Sequence, residues 1–527
     1  MTGPADRPYD AIVIGSGFGG GMAAHVLVDA GCRVLMIERG DWVARGPDNW
    51  QPENVGLLGR YYSAASPYRQ IGRRGSQLIG AFHCVGGPSV FYGGVALRFR
   101  EADFDPDPGV VAGSGARWPF QYPELEPYYS WAEQLLGVAG QAGIDPTDPP
   151  RSMPYQAPPA PYAAVTRRIA AAAESLGLHP FPLPLAINHR AGPGRSPCQD
   201  CRTCDGFACA VEAKNDIATM LIRPLIGRGL DLATNTVVTR LENDGERITS
   251  VTAVDRHSGR VTSCQAERIF LAAGALASPH LVLASQLARL NPGGHVIGRF
   301  LMRHLNDVVL GAFPGEPDRE HRFHKQLGIH DFYLGDPSLD QPRGKLGAIQ
   351  QLATPPASLV RANLPRGLSA LAGLVNHLTG LMTITEDQPD YANRVYLGSG
   401  SDEYGLPQLL IDHRHSARDR AAGRALRTRA REILRRAGAW ASYCHRQGTF
   451  SHALGTMRIG LDPGISALDP DGRFRGLENL YVVDGSALAT SGGVNPSLTI
   501  AAMALRATSR ALNLEIPQSG RTSHAFA

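Results

Sequence analysis

The stretch DAIVIGSGFGGGMAAHVLVDAGCRVLMIE, residues 10–38, decides the fold. Asp10 to Ile14 reads as an apolar strand, Gly15 to Gly20 as a glycine turn and Met22 to Ala30 as a helix. Arg33 to Ile37 is a second strand, and it ends on Glu38, eighteen residues after Gly20. Strand, glycine turn, helix, strand and terminal acid follow one another in the order a dinucleotide fold requires. Gly15 permits the tight turn, Gly17 lets the backbone approach a pyrophosphate, and Gly20 lets helix and strand pack closely. The unpaired amides at the helix N-terminus then face the phosphates, and Glu38 holds ribose hydroxyls. The first candidate cofactor site is therefore Gly15, Gly17, Phe18, Gly19, Gly20, Glu38 and Arg39.

The rest of the 527 residues is long enough for two joined lobes. With 43% hydrophobic and 19% charged residues the chain is neither disordered nor fibrous, and its 60 glycines and 39 prolines without a period indicate many loops. A formal charge of +4 is too small to argue for nucleic-acid binding. The start MTGPADRPYD lacks the apolar segment of a secretion signal, and no apolar run reaches the roughly eighteen residues of a membrane span. The most apolar segment, Leu368 to Ile384, contains Asn376 and His377 and reads as a buried helix or the rim of a substrate opening. Without a leader, eight cysteines argue against a disulfide framework and for a reduced, cytoplasmic protein.

The glycines do not choose between FAD and NAD. Ala266 to Ser285, AERIFLAAGALASPHLVLAS, predicts a strand, a small-residue turn at Ala273 and Gly274, and a helix. Leu232 to Arg240 predicts a strand carrying Val237 or Val238 toward an adenine, with 248–258 as its hairpin partner. Leu480 to Val483 is a further strand reaching Asp484 and Gly485. A glycine turn, Ser491 to Val494, leads through Asn495 and Pro496 to a helix from Ser497 to about Leu512, which Ser497 is placed to cap.

Together these segments resemble the glucose-methanol-choline flavoprotein oxidoreductases. The likeness is carried by IGSGFGGGMAAHVL, by VGGPSVFYGGVALR (Val85 to Arg98), by AAGALASPHLVLAS and IGRFLMRH, and by SHALGTMRIG (Ser451 to Gly460) and VVDGSALATSGGVNPSLTI (Val482 to Ile500). It spans roughly residues 8 to 512 and implies FAD. It adds the segment that crosses the flavin, with Gly86, Gly87, Ser89, Tyr92, Gly93, Gly94 and Val95, to a cofactor set that also includes Val237, Ala273, Gly274, Asp484, Gly485, Asn495, Pro496 and Ser497. It further implies oxidation of a CH–OH group by hydride transfer to flavin N5, with His452 and Asn495 facing the substrate. This His/Asn pair is similar to the cholesterol-oxidase and pyranose-oxidase branches. His452 is the expected base for the hydroxyl proton, and Asn495, which cannot accept one, the expected donor to the substrate oxygen. Tyr92 stands where relatives often carry Asn. Phe91 stands where pyranose oxidases link a histidine to FAD, which argues against that bond, while His83 and Cys84 leave another attachment open.

In SPCQDCRTCDGFAC, the cysteines Cys198, Cys201, Cys204 and Cys209 have spacings that suit iron or zinc. Cys209 is displaced from a ferredoxin register and no second paired motif exists, so a metal-free structural or redox-labile loop is the preferred reading, ahead of an iron–sulfur cluster. Trp118, Tyr122, Tyr128 and Tyr129 lie in a proline-punctuated approach to a helix within Ala116 to Gly140. Segments 324–352 and 380–413 read as strands of a substrate floor. Glu386 reads as a solvent-exposed loop acid, ahead of a second acid/base near the substrate, His413, His415 and Asp419 as no metal triad, and 416–437 as an arginine-faced helix.

The expected architecture is α/β, a Rossmann-like FAD lobe from 1–115, 195–310 and 440–515. A second α+β lobe on a mainly antiparallel sheet takes 116–194 and 311–439, and 516–527 form a flexible tail. The expected function is oxidation of an alcohol, sugar, glycoside or sterol with dioxygen as acceptor. Two alternatives stand beside it: a dehydrogenase passing electrons to a quinone, cytochrome or iron–sulfur centre, and a flavin-dependent lyase or isomerase without net redox. The expected partners are a small-molecule alcohol and dioxygen or another redox acceptor.

Overall fold

Five strands form a parallel sheet in the order Leu480–Val482, Ala266–Leu271, Tyr9–Ile14, Val34–Ile37 and Leu230–Ala233. The structure, a computed structural model, describes residues 8–515 apart from 52–53, 56–60, 64–67, 73–74, 192–193, 324, 340–343, 355, 358–359, 362–365, 449 and 451. The central strand Tyr9–Ile14 is apolar because both faces are covered, as a parallel sheet demands. One cover is the helix Phe18–Asp29, which packs on the last helix, Ser497–Ala511. That helix in turn packs on Tyr122–Leu135.

The second sheet has six strands, all antiparallel, in the order Ala441–Arg446, Leu305–Ala312, Leu378–Thr385, Gly347–Leu352, Leu327–Ile329 and Phe181–Pro182. Its two faces serve different cores. Ile329, Ile349 and Leu381 pack with Ala422, Leu426 and Ile433 of the helix Ala417–Arg436. Ala348, Met382 and Ile384 join the large core built around the parallel sheet. The Rossmann-like lobe with an α+β partner is thus present, and the antiparallel sheet turns one face to the dinucleotide lobe. The tail at 516–527 lies outside the described residues.

Two expected elements differ. The strand expected over Leu232 to Arg240 is two strands, because Asn235 takes a left-handed φ of 52° between them. Leu230–Ala233 ends the parallel sheet, and Thr236–Asn243, which carries Val237, opens a separate antiparallel sheet with Ile248–Asp255. The apolar stretch ending at Ile384 is not one buried helix. Its second half, Leu378–Thr385, is a strand flanked on both sides in the sheet, and burial on two faces produces a continuous apolar run that looks helical by periodicity.

Candidate active site

The glycine turn divides its labour by position. A Cβ on Gly15, whose φ is +98°, would meet Ala272 O at 2.5 Å, one on Gly19 would meet Val483 O at 1.8 Å, and one on Gly20 would meet Gly15 O at 2.0 Å. These three let neighbouring backbone close up. A Cβ on Gly17, the N-cap of the helix Phe18–Asp29, would meet nothing within 4 Å. Protein packing therefore does not require glycine at position 17, and the open space at that helix N-terminus would admit a phosphate. Glu38 is buried at the end of the next strand. Its Oε2 accepts from Ser16 N at 3.1 Å and Ser16 Oγ at 2.5 Å, and its Oε1 accepts from Gly40 N at 2.8 Å. Burial pushes its carboxyl above the usual range, and these bonds oppose the shift.

The segment 86–95 joins two helix N-termini. At one end Gly86 N donates to Ser16 Oγ at 3.0 Å and Gly87 passes beside Gly17, where its Cβ would come 3.4 Å from Gly17 Cα. Ser89 Oγ donates to Gly86 O at 2.6 Å and closes that turn. At the other end Val95 O accepts from Ser497 Oγ at 3.4 Å, at the start of the last helix. Pro496 rather than Ser497 is the N-cap, so Ser497, the first helical residue, is not placed to cap as expected, and its hydroxyl turns to Val95. In between, Tyr92 OH donates to Asn215 O at 2.9 Å and its ring meets Phe18 edge-on at 5.4 Å. Phe91 stacks on Phe82 at 4.8 Å. Cys84 Sγ donates to Gly87 O at 3.4 Å, and burial, with Arg39 adding, lowers His83 to about 3.

Asp484 ties the next elements together. One carboxylate oxygen accepts from Gly274 N and Ser278 Oγ, the other from Ser486 N and Ser486 Oγ. The turn at Ala273 and Gly274 is thereby held to the end of the last strand. An elongated dinucleotide would fit this arrangement, with Glu38 toward the adenosine end, Gly17 toward the pyrophosphate, the 86–95 segment along its length, and Asn495, Pro496 and Ser497 at the far helix N-terminus. Val237, the expected adenine contact, is buried in the separate hairpin sheet.

His452 stands beside that far end. Its segment pairs with Met302 through Leu454, and Gly455 N donates to Gly485 O at 3.0 Å. Ser451, first residue of the same motif, lies outside the described residues. His452 Nδ1 lies 2.8 Å from His304 Nδ1, and His304 Nε2 lies 2.9 Å from Gly492 O and 3.1 Å from Ser491 O. Carbonyl oxygens only accept, so the proton of neutral His304 sits on Nε2 and its Nδ1 is a lone pair. His452 must then donate from Nδ1, which leaves His452 Nε2 unprotonated. Burial holds His452 well below the ordinary histidine range, with the nearby His304 and Lys325 adding to the shift. Burial likewise lowers His304.

Asn495 follows directly on the turn whose carbonyls hold His304. Its Oδ1 accepts from Gln350 Nε2 at 2.6 Å. Behind the pair, Asp387 N donates to Ser491 Oγ at 3.0 Å, and His413 Nε2 lies 2.7 Å from Asp387 Oδ2. Burial pushes Asp387 up, but His413 and His415 outweigh it and hold the carboxyl low. His413 and His415 share Asp387 rather than Asp419, which instead closes a capping box with Ser416. Asp387, His413 and His415 bring ligand atoms close enough for a metal ion, a grouping the sequence reading did not find. Glu386 is fully buried, contrary to the expected exposed loop, because it follows the central strand Leu378–Thr385 into the core. Burial raises its carboxyl, opposed by Lys345 3.9 Å away.

The cysteine loop lies against the same segment. The buried Lys214 Nζ donates to Tyr92 O at 2.8 Å, Cys204 O at 3.0 Å and Phe207 O at 2.6 Å. Cys198, Cys201, Cys204 and Cys209 are free thiols, and burial pushes Cys198 up to about 12. His189, Cys198 and Asp200 are near enough to share a metal ion, and Cys201, Cys204 and Cys209 are in no such group among the described residues. Sequence reasoning missed His304, Lys325, Gln350 and Lys214 as parts of the site. Only His304 had a signal, its place in IGRFLMRH.

Comparison with known proteins shows the family. Two family models, each described as GMC oxidoreductase, match residues 12–306 and 389–504. The chain is 34% identical over 519 residues to paromamine 6′-oxidase of Streptomyces fradiae, covering 95% of this chain and 91% of the relative. It is 35% identical to 6‴-hydroxyparomomycin C oxidase of Streptomyces lividus, covering 97% and 92%. Among solved structures, pyridoxine 4-oxidase of Mesorbium loti superposes with a TM-score of 0.67 at 20% identity over 96% of this chain and all of the other, a likeness of fold. The chain belongs to the GMC oxidoreductases and is an FAD-dependent oxidase or dehydrogenase acting on a CH–OH group.

Proposed function

We propose that this enzyme oxidises a hydroxyl of a polyhydroxylated amine of the paromamine type to a carbonyl, with dioxygen as the final electron acceptor. The observation that carries the chemistry is the directed histidine pair: His304 leaves His452 Nε2 as a lone pair. A neutral, half-buried imidazole with a fixed free nitrogen is suited to take the hydroxyl proton while the carbon gives up hydride. Asn495, its Oδ1 held by Gln350, is left with Nδ2 to donate to the substrate oxygen as charge develops there. Bound FAD supplies the hydride acceptor. The substrate class and the oxidase assignment rest on the two relatives above 30% identity, both named as oxidases of such compounds.

One observation favours a second reading. Lys214 fastens the cysteine loop to the Tyr92 carbonyl, so a metal centre in that loop would border the flavin-crossing segment and serve a dehydrogenase. A single experiment separates the two. Paromamine is mixed anaerobically with the flavin-loaded enzyme, the oxidised flavin band is followed, and air is admitted. The oxidase reading predicts bleaching by paromamine and rapid return of the band with hydrogen peroxide. Bleaching that persists in air until a quinone or dye is added, together with iron and sulfide in the purified protein, assigns the dehydrogenase. No bleaching with any alcohol refutes both.

A further inference from the structure

We infer that the substrate carries a second hydrogen-bond donor, a hydroxyl or ammonium one or two carbons from the oxidised carbon, and that Gln350 Oε1 receives it. The inference deepens the proposed alcohol oxidation and rests on it for the place of the reacting oxygen.

Gln350 lies on Gly347–Leu352, an interior strand of the six-stranded sheet, opposite Gly328 on one side and Met382 on the other. Side chains alternate along a strand. Ile349 belongs to the core under the helix Ala417–Arg436, whereas Ala348 and the opposite Met382 belong to the core of the dinucleotide lobe. Gln350 therefore points at the dinucleotide lobe. The strand also runs along the turn that leads to Asn495: a Cβ on Gly493 would come 2.9 Å from Gly347 Cα. Gln350 Nε2 then reaches Asn495 Oδ1 at 2.6 Å.

The other end of the same amide has no such bond. Gln350 is fully buried, and its Oε1 has no hydrogen-bond partner among the described residues. Buried amide oxygens are nearly always paired, and this one can only accept. It is held within the span of one amide group from Asn495, which orients the reacting oxygen. A substrate donor that reaches Gln350 Oε1 while the reacting hydroxyl meets Asn495 and His452 must stand near the oxidised carbon. A diol, sugar or amino alcohol meets that demand. An isolated sterol hydroxyl does not.

The test uses the flavin-loaded enzyme and two probes that differ by one hydroxyl, 2-methyl-1,2-propanediol and 2-methyl-1-propanol. Each is titrated anaerobically, reading the flavin difference spectrum for affinity and the loss of the oxidised band for reduction. The wild type should favour the diol by roughly 10- to 100-fold in affinity or reduction rate, the cost of one unpaired buried acceptor. Gln350→Leu also frees Asn495 Oδ1, so both probes should slow, but the diol should lose its additional roughly 10- to 100-fold advantage and the two should become equal. Equal response of the wild type to both probes overturns the inference, as does an equal loss for both in Gln350→Leu. A diol preference in the difference spectrum with no bleaching by either probe leaves the inference standing, and if paromamine and other alcohols also fail to bleach the flavin, the redox reading alone is refuted. The wild-type comparison needs no variant, so a Gln350→Leu protein that fails to fold leaves the test intact.

Discussion

His304 Nδ1 lies 2.8 Å from His452 Nδ1, and the Ser491 and Gly492 carbonyls behind His304 fix which of the two nitrogens carries the shared proton. His304 is on this account a positioning residue. His304→Phe should retain FAD and lower the rate of flavin reduction by about 10–100-fold, less than loss of the base itself. His304→Gln, whose amide both donates and accepts, should recover part of it. Equal rates in wild type and His304→Phe, with the same pH profile, would remove the histidine pair from the mechanism.

Lys325 contributes to the acid limit. It is buried against Asp205, at 2.6 Å, and its charge is among the causes that keep His452 neutral, after burial and His304. The active form of His452 is unprotonated, so activity is present above its lowered pKa and is lost as pH falls through it. Taking away the cation makes the imidazolium easier to form and raises that pKa. Lys325→Met should therefore move the acid limb of kcat/KM toward neutral pH, measured across pH 4.5 to 8 as about the usable range of a histidine titration. A limb that stays in place shows that Lys325 does not act on His452.

For Asn495 the expectation is a fall in the hydride-transfer step rather than in association. Asn495→Ala should slow reduction by roughly 10²–10³-fold, the scale of one oxyanion donor, with substrate affinity little changed. The primary deuterium effect on flavin reduction should persist. Loss of FAD in this variant, with normal reduction in the remaining holoenzyme, would assign Asn495 to the cofactor turn instead.

Gly17→Val fills the one turn position whose Cβ meets no protein atom within 4 Å. The variant should fold and lose FAD, measured by absorbance after gel filtration. Full occupancy would displace the pyrophosphate from the Phe18–Asp29 N-terminus.

The dinucleotide half was legible because its signal is local. Residues 10–38 hold strand, turn, helix and acid within one stretch, and the constraints on Gly15, Gly19 and Gly20 arise from that unit or from strand ends beside it. The site itself joins residues far apart in the chain. His304 meets His452 across 148 positions and Gln350 meets Asn495 across 145, and neither pairing leaves a periodic trace. Glu386 illustrates the opposite failure. A charged residue beside Asp387, Gln388 and Pro389 has the composition of a loop, yet it continues a central strand and is fully buried. The apolar run ahead of it looked helical for the same reason, since a strand covered on two faces loses its alternation.

The most direct test of the account is the anaerobic stopped-flow rate of flavin reduction by saturating alcohol in wild type and His452→Ala, at matched FAD content. Loss of the base should slow that rate by roughly 10²–10⁴-fold while substrate still binds. A near-normal rate with intact substrate binding would contradict the account and remove His452 from the chemistry.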